Sequence, residues 1–353
     1  MKKSLILLVV FLCLAAVASA ETKFSMELWN RWTYHMTDGE VDQNEMNLSR
    51  GYFRIEPVFT PNIKGRFNLD FFSDEGMSNG AGIKLKYAYL DFSNILWEDA
   101  NLTVGLMKTY FGTIYDWEYV TIEKDPSDKY KFVASTDYGL GISGYLPQGF
   151  GTYAFAAYNG EGYKKTGEHL NTAMNFCADV RLTPMAGLTV GGSYYMMNKN
   201  NDKIDDVDNP DRIEYNMMAG VARITLIPNV DIWAQYLTRE TDKPHMDDYE
   251  AVTDQAISII PIISLQEFTG KDLELVFRYD MYDNNTDVDN DVAGSGAYNT
   301  TIAGVNYYMM RDEKNSPKLW LQVNYSMKDK LDEDADDSSS IEAQLRWKFS
   351  ENL

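Results

Sequence analysis

Arg50, Arg54 and Arg66 are the residues whose type and spacing promise chemistry. The stretch Arg50-Gly51-Tyr52-Phe53-Arg54-Ile55-Glu56 alternates polar with apolar, and Arg66-Phe67-Asn68-Leu69-Asp70-Phe71 does the same after the turn Thr60-Pro61-Asn62. Successive strand residues face opposite ways, so the three guanidinium groups share a wet face while Phe53, Ile55, Phe67, Leu69 and Phe71 share an oily one. Guanidinium groups take carboxylates and phosphates through paired N–H donors, so such a patch beside water would attract anions. The same residues admit a structural role. With the turn centred near residues 61–62, Arg54 falls opposite Asp70 and Glu56 lies diagonal to Arg66, and such cross-strand pairs stabilise a hairpin. Arg50 has no obvious partner in that register and is the best single candidate for touching a solute.

Other patterns promise less. Gly139-Leu140-Gly141-Ile142-Ser143-Gly144 matches a dinucleotide fingerprint, but Tyr145-Leu146-Pro147 follows where a helix should begin. Small residues in a wall beside an inward-folded loop explain it better. His35, His169 and His245 fall at strand ends or in loops, without metal-ligand spacing, and no G-x-S-x-G, H-E-x-x-H or Walker pattern occurs. The run Asp287-Val288-Asp289-Asn290-Asp291 begins like a calcium loop, then has Val292 and Tyr298 where glycine and a bidentate glutamate belong. Acidic runs at Asp202–Asp211 and Asp329–Asp337 read as solvated loops, with divalent cations bridging them to one another or to lipopolysaccharide as the alternative. No cofactor or resident metal is expected.

The N-terminus supplies a context. Met1-Lys2-Lys3, an apolar run from Leu5 to Val17 and Ala18-Ser19-Ala20 describe a cleaved signal peptide over residues 1–20, leaving 21–353 as one domain. Cys13 lacks the small preceding residue of a lipoprotein signal, and Cys177 alone remains, so no internal disulfide can form. Removing Lys2 and Lys3 leaves 30 basic against 53 acidic residues, a net charge of −23, which repels nucleic acid and anionic membrane surfaces. Beyond residue 20 no apolar stretch reaches the roughly 18 residues of a membrane helix; Ala256–Leu265 is too short and contains Pro261.

What must position these side chains is a ring of strands. Ile341-Glu342-Ala343-Gln344-Leu345-Arg346-Trp347-Lys348-Phe349 has one oily and one wet face over about the length of a tilted membrane strand, and ends its apolar face in aromatics. Phe24, Met26 and Leu28 start the same rhythm. Further strands are expected near 83–93, 101–110, 133–146, 151–160, 171–183, 187–198, 212–226, 230–240, 251–266, 271–282, 297–310, 316–328 and 339–349, about sixteen in all. Short turns such as 183–187 alternate with long acidic loops such as 111–132, the sign of an all-β, transmembrane, antiparallel up-and-down barrel. About sixteen strands leave an aqueous lumen. The inward parity holds nine bases (Arg31, Arg50, Arg54, Arg66, Arg181, Arg223, Arg278, Arg346, Lys348) and nine acids (Glu27, Glu56, Asp70, Asp91, Asp179, Asp231, Glu274, Asp280, Glu342).

Leu102-Thr103-Val104-Gly105-Leu106-Met107-Lys108-Thr109-Tyr110-Phe111-Gly112 resembles the V-G-x-x-K-x-x-F-G segment of the phosphate-selective porin O and P family. Tyr87-Ala88-Tyr89-Leu90-Asp91, Tyr158-Asn159-Gly160 and Arg278-Tyr279-Asp280 are similar to its A-Y-x-D, F-N-G and R-Y-D stretches. The resemblance implies a sixteen-stranded trimeric outer-membrane porin whose third external loop, here roughly 111–132, folds inward, with anions held by basic residues. It adds Lys108 to the lumen-facing positions. This chain departs from the pattern: its loop carries Asp116, Glu118, Glu123, Asp125 and Asp128 against three lysines.

The expectation is therefore a porin for passive diffusion of small hydrophilic solutes and ions, with anions such as phosphate among them. Arg50, Arg54, Arg66, Lys108 and Arg278 are its pore-lining candidates, and bilayer, lipopolysaccharide and two further copies of the chain its partners. The alternatives are a barrel enzyme of lipase or protease type and a soluble secreted β-sandwich.

Overall fold

A computed structural model describes residues 22–74, 76–77, 80–164, 173–199, 213–243, 250–289, 296–332 and 335–352. The proposed signal peptide, His169, His245 and the acidic run from Asp202 to Asp211 lie outside them.

The chain alternates strand and turn without interruption. Its first half holds β1 (Thr22–Thr37), β2 (Glu40–Thr60), β3 (Ile63–Ser73), β4 (Ala81–Ser93), β5 (Ala100–Lys108), β6 (Thr136–Leu146), β7 (Gly151–Tyr158) and β8 (Asn175–Met185). The second holds β9 (Leu188–Lys199), β10 (Ile213–Ile224), β11 (Val230–Asp242), β12 (Val252–Ser264), β13 (Leu273–Asp283), β14 (Tyr298–Arg311), β15 (Pro317–Lys330) and β16 (Ser338–Asn352). Each strand pairs antiparallel with its neighbour in sequence, and β16 pairs with β1, from Lys23 opposite Asn352 to Thr37 opposite Ser338. The ring has no edge, which is what hydrocarbon demands of a sheet.

The ring is inside out relative to a soluble core. Phe155, Phe176, Tyr194, Phe277, Tyr325 and Phe349 are exposed on the outer face, whereas Asn306, Gln322, Gln344, Arg278 and Asp280 are buried on the inner one. That is the sixteen-strand barrel the alternation implied. Two boundaries differ. Residues 35–49, where no strand was expected, extend the first hairpin: β1 and β2 run on for 16 and 21 residues around a turn at Asp38 and Gly39, whose φ of 50° and 78° suit an Asp-Gly hairpin. His35 sits in this hairpin with its Nδ1 2.6 Å from Asp42 Oδ1. The connection after β5 is longer than expected, because the strands stop at Lys108 and restart at Thr136, with Thr109 N–H donating to Ser135 O across the neck.

Candidate functional site

The connection 109–135 leaves β5, turns into the barrel and crosses its interior. Phe111, Ile114, Phe132 and Val133 pack on Met197, Met217, Leu237 and Ala256 of the inner wall, an apolar seat. Gly112 adopts φ 55°, and a Cβ there would collide with Gln235 and Ser127. Gly141 likewise leaves room for Met107 and Tyr110, so the glycine run on β6 accommodates the loop, as its composition indicated. A single helical turn, α1 (Pro126–Lys129), is capped by Asp125, which accepts from Ser127 N–H at 2.7 Å and from the Thr113 hydroxyl. Burial pushes the Asp125 carboxyl up to about 6, against the pull of those hydrogen bonds.

Wall arginines clamp this loop by its main chain. Arg278 Nε donates to both oxygens of Asp280 at 2.9 and 3.0 Å, and its Nη1 donates to the Lys124 carbonyl at 2.7 Å. Arg181 divides itself between Asp179 and the Gly112 carbonyl, and Arg239 between Asp254 and the Lys131 carbonyl. In each case one carboxylate neutralises the fork and the spare N–H holds the loop. Asn306 and Gln322 donate to the carbonyls of Val120 and Tyr119 at 3.0 and 2.9 Å, while Asn324 accepts from Ile122 N–H at 2.6 Å. Lys129 and Tyr130 both donate to Asp280. Lys86 donates to the Ser135 hydroxyl, seating the loop's end on β4.

The loop covers one part of the wall and leaves another bare. What stays open is a column of about 610 Å3 bounded by β1 to β5, by β13 to β16 and by the crossing loop. Arg54, Arg66, Lys108 and Lys348 line it, and so do the carboxylates of Glu27, Glu118 and Glu274. Arg66 is 3.5 Å from Glu56, the pair expected across this hairpin. Arg54 faces Asn68, to which its Nε donates at 3.1 Å, rather than Asp70, because the β2–β3 pairing centres on residue 61. Arg54, Lys108 and Lys348 have no carboxylate within ion-pair distance among the described residues. Opposite them the loop presents Asp116 and Glu118, exposed to lumen water yet walled on every side. Burial raises both carboxyls, with Arg181 and Arg223 respectively pulling the other way.

Of the five expected lumen residues, Arg54, Arg66 and Lys108 line the column. Arg278 does not: at 1% exposure beneath the loop it is a clamp. Arg50 is not free either. Its Nη1 meets the Tyr119 hydroxyl, its Nε lies 3.7 Å from Asp70, and its guanidinium stacks over Trp29, Tyr52 and Tyr119. Seven of the nine expected wall cations are paired with wall carboxylates. Lys86 was missed. A bulge between Asn68 and Leu69 pairings turns it into the lumen beside Tyr87, and the signal was the change of parity between Lys84/Lys86 and Tyr87/Tyr89/Asp91.

No protein-family model matches the sequence, and no curated protein does. Solved structures match over nearly the whole chain. The outer membrane channel DcaP of Acinetobacter baumannii superposes with a TM-score of 0.65 at 11% identity, over 94% of this chain and 98% of that one. An anion-selective porin from Comamonas acidovorans gives 0.61 at 12%, over 94% and 100%. OmpT, an outer membrane protein of Vibrio cholerae solved in a trimer form, gives 0.60 at 10%, over 93% and 99%. The barrel thus has a porin-like fold.

Proposed function

We propose that the chain is an outer-membrane porin through which small hydrophilic solutes and ions diffuse passively, with anions preferred. The observation that carries this is the open column whose wall holds Arg54, Lys108 and Lys348 with no carboxylate in ion-pair distance among the described residues. A fixed positive field in a narrow, partly desolvated passage lowers the barrier for anions and raises it for cations. Glu118 and Glu274 on the column and Asp116 near Lys108 oppose that field and keep the preference moderate, so phosphate enters as one anion among several. No bond is made or broken in this reading.

The apolar outer belt supports placement in the outer membrane, with the short-turn rim toward the periplasm and the long loops outside. The homotrimer implied by the resemblance belongs to the same proposal and has the trimer form of the Vibrio protein beside it. The test is the purified chain in a planar bilayer under a potassium chloride gradient. The expected result is stepwise conductance with a reversal potential of the sign that marks chloride over potassium. Absence of channels, or a potassium preference, would reject it.

A further inference from the structure

Trp29 and Tyr119 line two cavities at once: the open column of about 610 Å3 and a second space of about 200 Å3. Along β1 the column takes in Glu27 and the second space takes in Arg31, with Trp29 between. Along β16 the same order is Arg346, then the buried Gln344, then Glu342. The smaller space therefore lies toward the long-loop rim, directly above a layer built by the loop's tip. Below that layer the open column continues past Glu27 and Arg346.

The layer is thin. The rings of Trp29 and Tyr119 meet edge to face with centroids 4.7 Å apart. Gln344 donates to Gln322 at 3.2 Å, and Gln322 to the Tyr119 carbonyl at 2.9 Å. Tyr119 holds its place with φ at 53°, a left-handed backbone that a side-chain-bearing residue adopts only when its surroundings compel it. Arg50, tied to Asp70, supplies the compulsion through the tyrosine hydroxyl.

Seating alone does not explain the arrangement. Where the loop merely rests, at Phe111 and Phe132, the wall beneath is apolar and dry. At Tyr119 a ring stands between two polar spaces, one with Arg31, Lys124 and Glu342, the other with Glu27 and Arg346. We propose that Tyr119 is a stopper, and that it closes a second polar passage along β1, β2 and β16. This rests on the channel reading above.

The experiment is single-channel recording of the full-length chain in planar bilayers. Tyr119→Gly removes the ring and suits the backbone angle. Its conductance should rise to a higher level, because ions then also reach the column through the smaller space. Arg50→Met keeps the ring but removes its tether, and should show excursions to that same higher level. Unchanged conductance in Tyr119→Gly overturns the proposal; should that variant fail to insert, absence of a second level in Arg50→Met overturns it. An unaltered chain that forms no channel rejects the channel reading itself, and shows before any variant is made.

Discussion

The two faces of the lumen use the same cations to opposite ends. On β8, β11 and β13, Arg181, Arg239 and Arg278 each hold a carboxylate and a loop carbonyl, so their charge is spent inside the protein. On β2 and β5, Arg54 and Lys108 line the open column, with no carboxylate within ion-pair distance among the described residues. Charge that is paired and buried builds the constriction, and charge that is bare acts on what passes through it. Inward orientation alone does not separate the two kinds; cover by the loop does.

Arg278→Met against Arg54→Met tests that division most severely. Losing Arg278 leaves Asp280 buried with a weaker partner and should cost about 3–5 kcal/mol in urea unfolding. Losing Arg54 should stay within about 1 kcal/mol. Cys177, 4% exposed beneath the loop with its Sγ 2.7 Å from the Tyr110 carbonyl oxygen, reports the cause. A maleimide should label it in Arg278→Met and leave it untouched in Arg54→Met; equal labelling would erase the distinction.

Next in size is the effect on permeation. Reversing Arg54 and Lys108 to glutamate should swing the chloride-to-potassium permeability ratio toward potassium by at least about tenfold, since each reversal changes the charge by two units and one unit acts with about 1 kcal/mol at 4 Å in water. The loop carboxylates give the smallest effect. Asp116 and Glu118 are raised by burial, so as pH falls they take up protons before ordinary surface carboxylates do. The lumen then loses negative charge, and chloride preference should grow by roughly twofold to threefold below neutral pH. Asp116→Asn with Glu118→Gln should show the enlarged preference already at pH 7 and respond little to acid.

Much of the barrel was legible because lipid outside and water inside impose one period on every strand. Only where that contrast lapses did the reading fail, as at residues 35–49, which stand clear of the apolar belt; the Asp38-Gly39 turn was the remaining clue. The site was legible in part. Arg54, Arg66 and Lys108 follow from parity and resemblance, but parity cannot reveal that a loop from elsewhere lies over Arg278 or that Tyr119 reaches Arg50. One trace of the cover is visible in β12. Ile257 and Ile259 face outward and Ala256, Ile260 and Ile262 face inward, so a strand apolar on both sides already signals that something other than water lines that stretch.

Because Arg181, Arg239 and Arg278 grip main-chain oxygens, which every amino acid possesses, side chains of the crossing segment outside its apolar seat and its cap can change without loosening those three anchors. Positions such as Asp116 and Glu118 are thereby open to substitution at little structural risk. A lineage could retune what this barrel admits one residue at a time, with the scaffold left as it is.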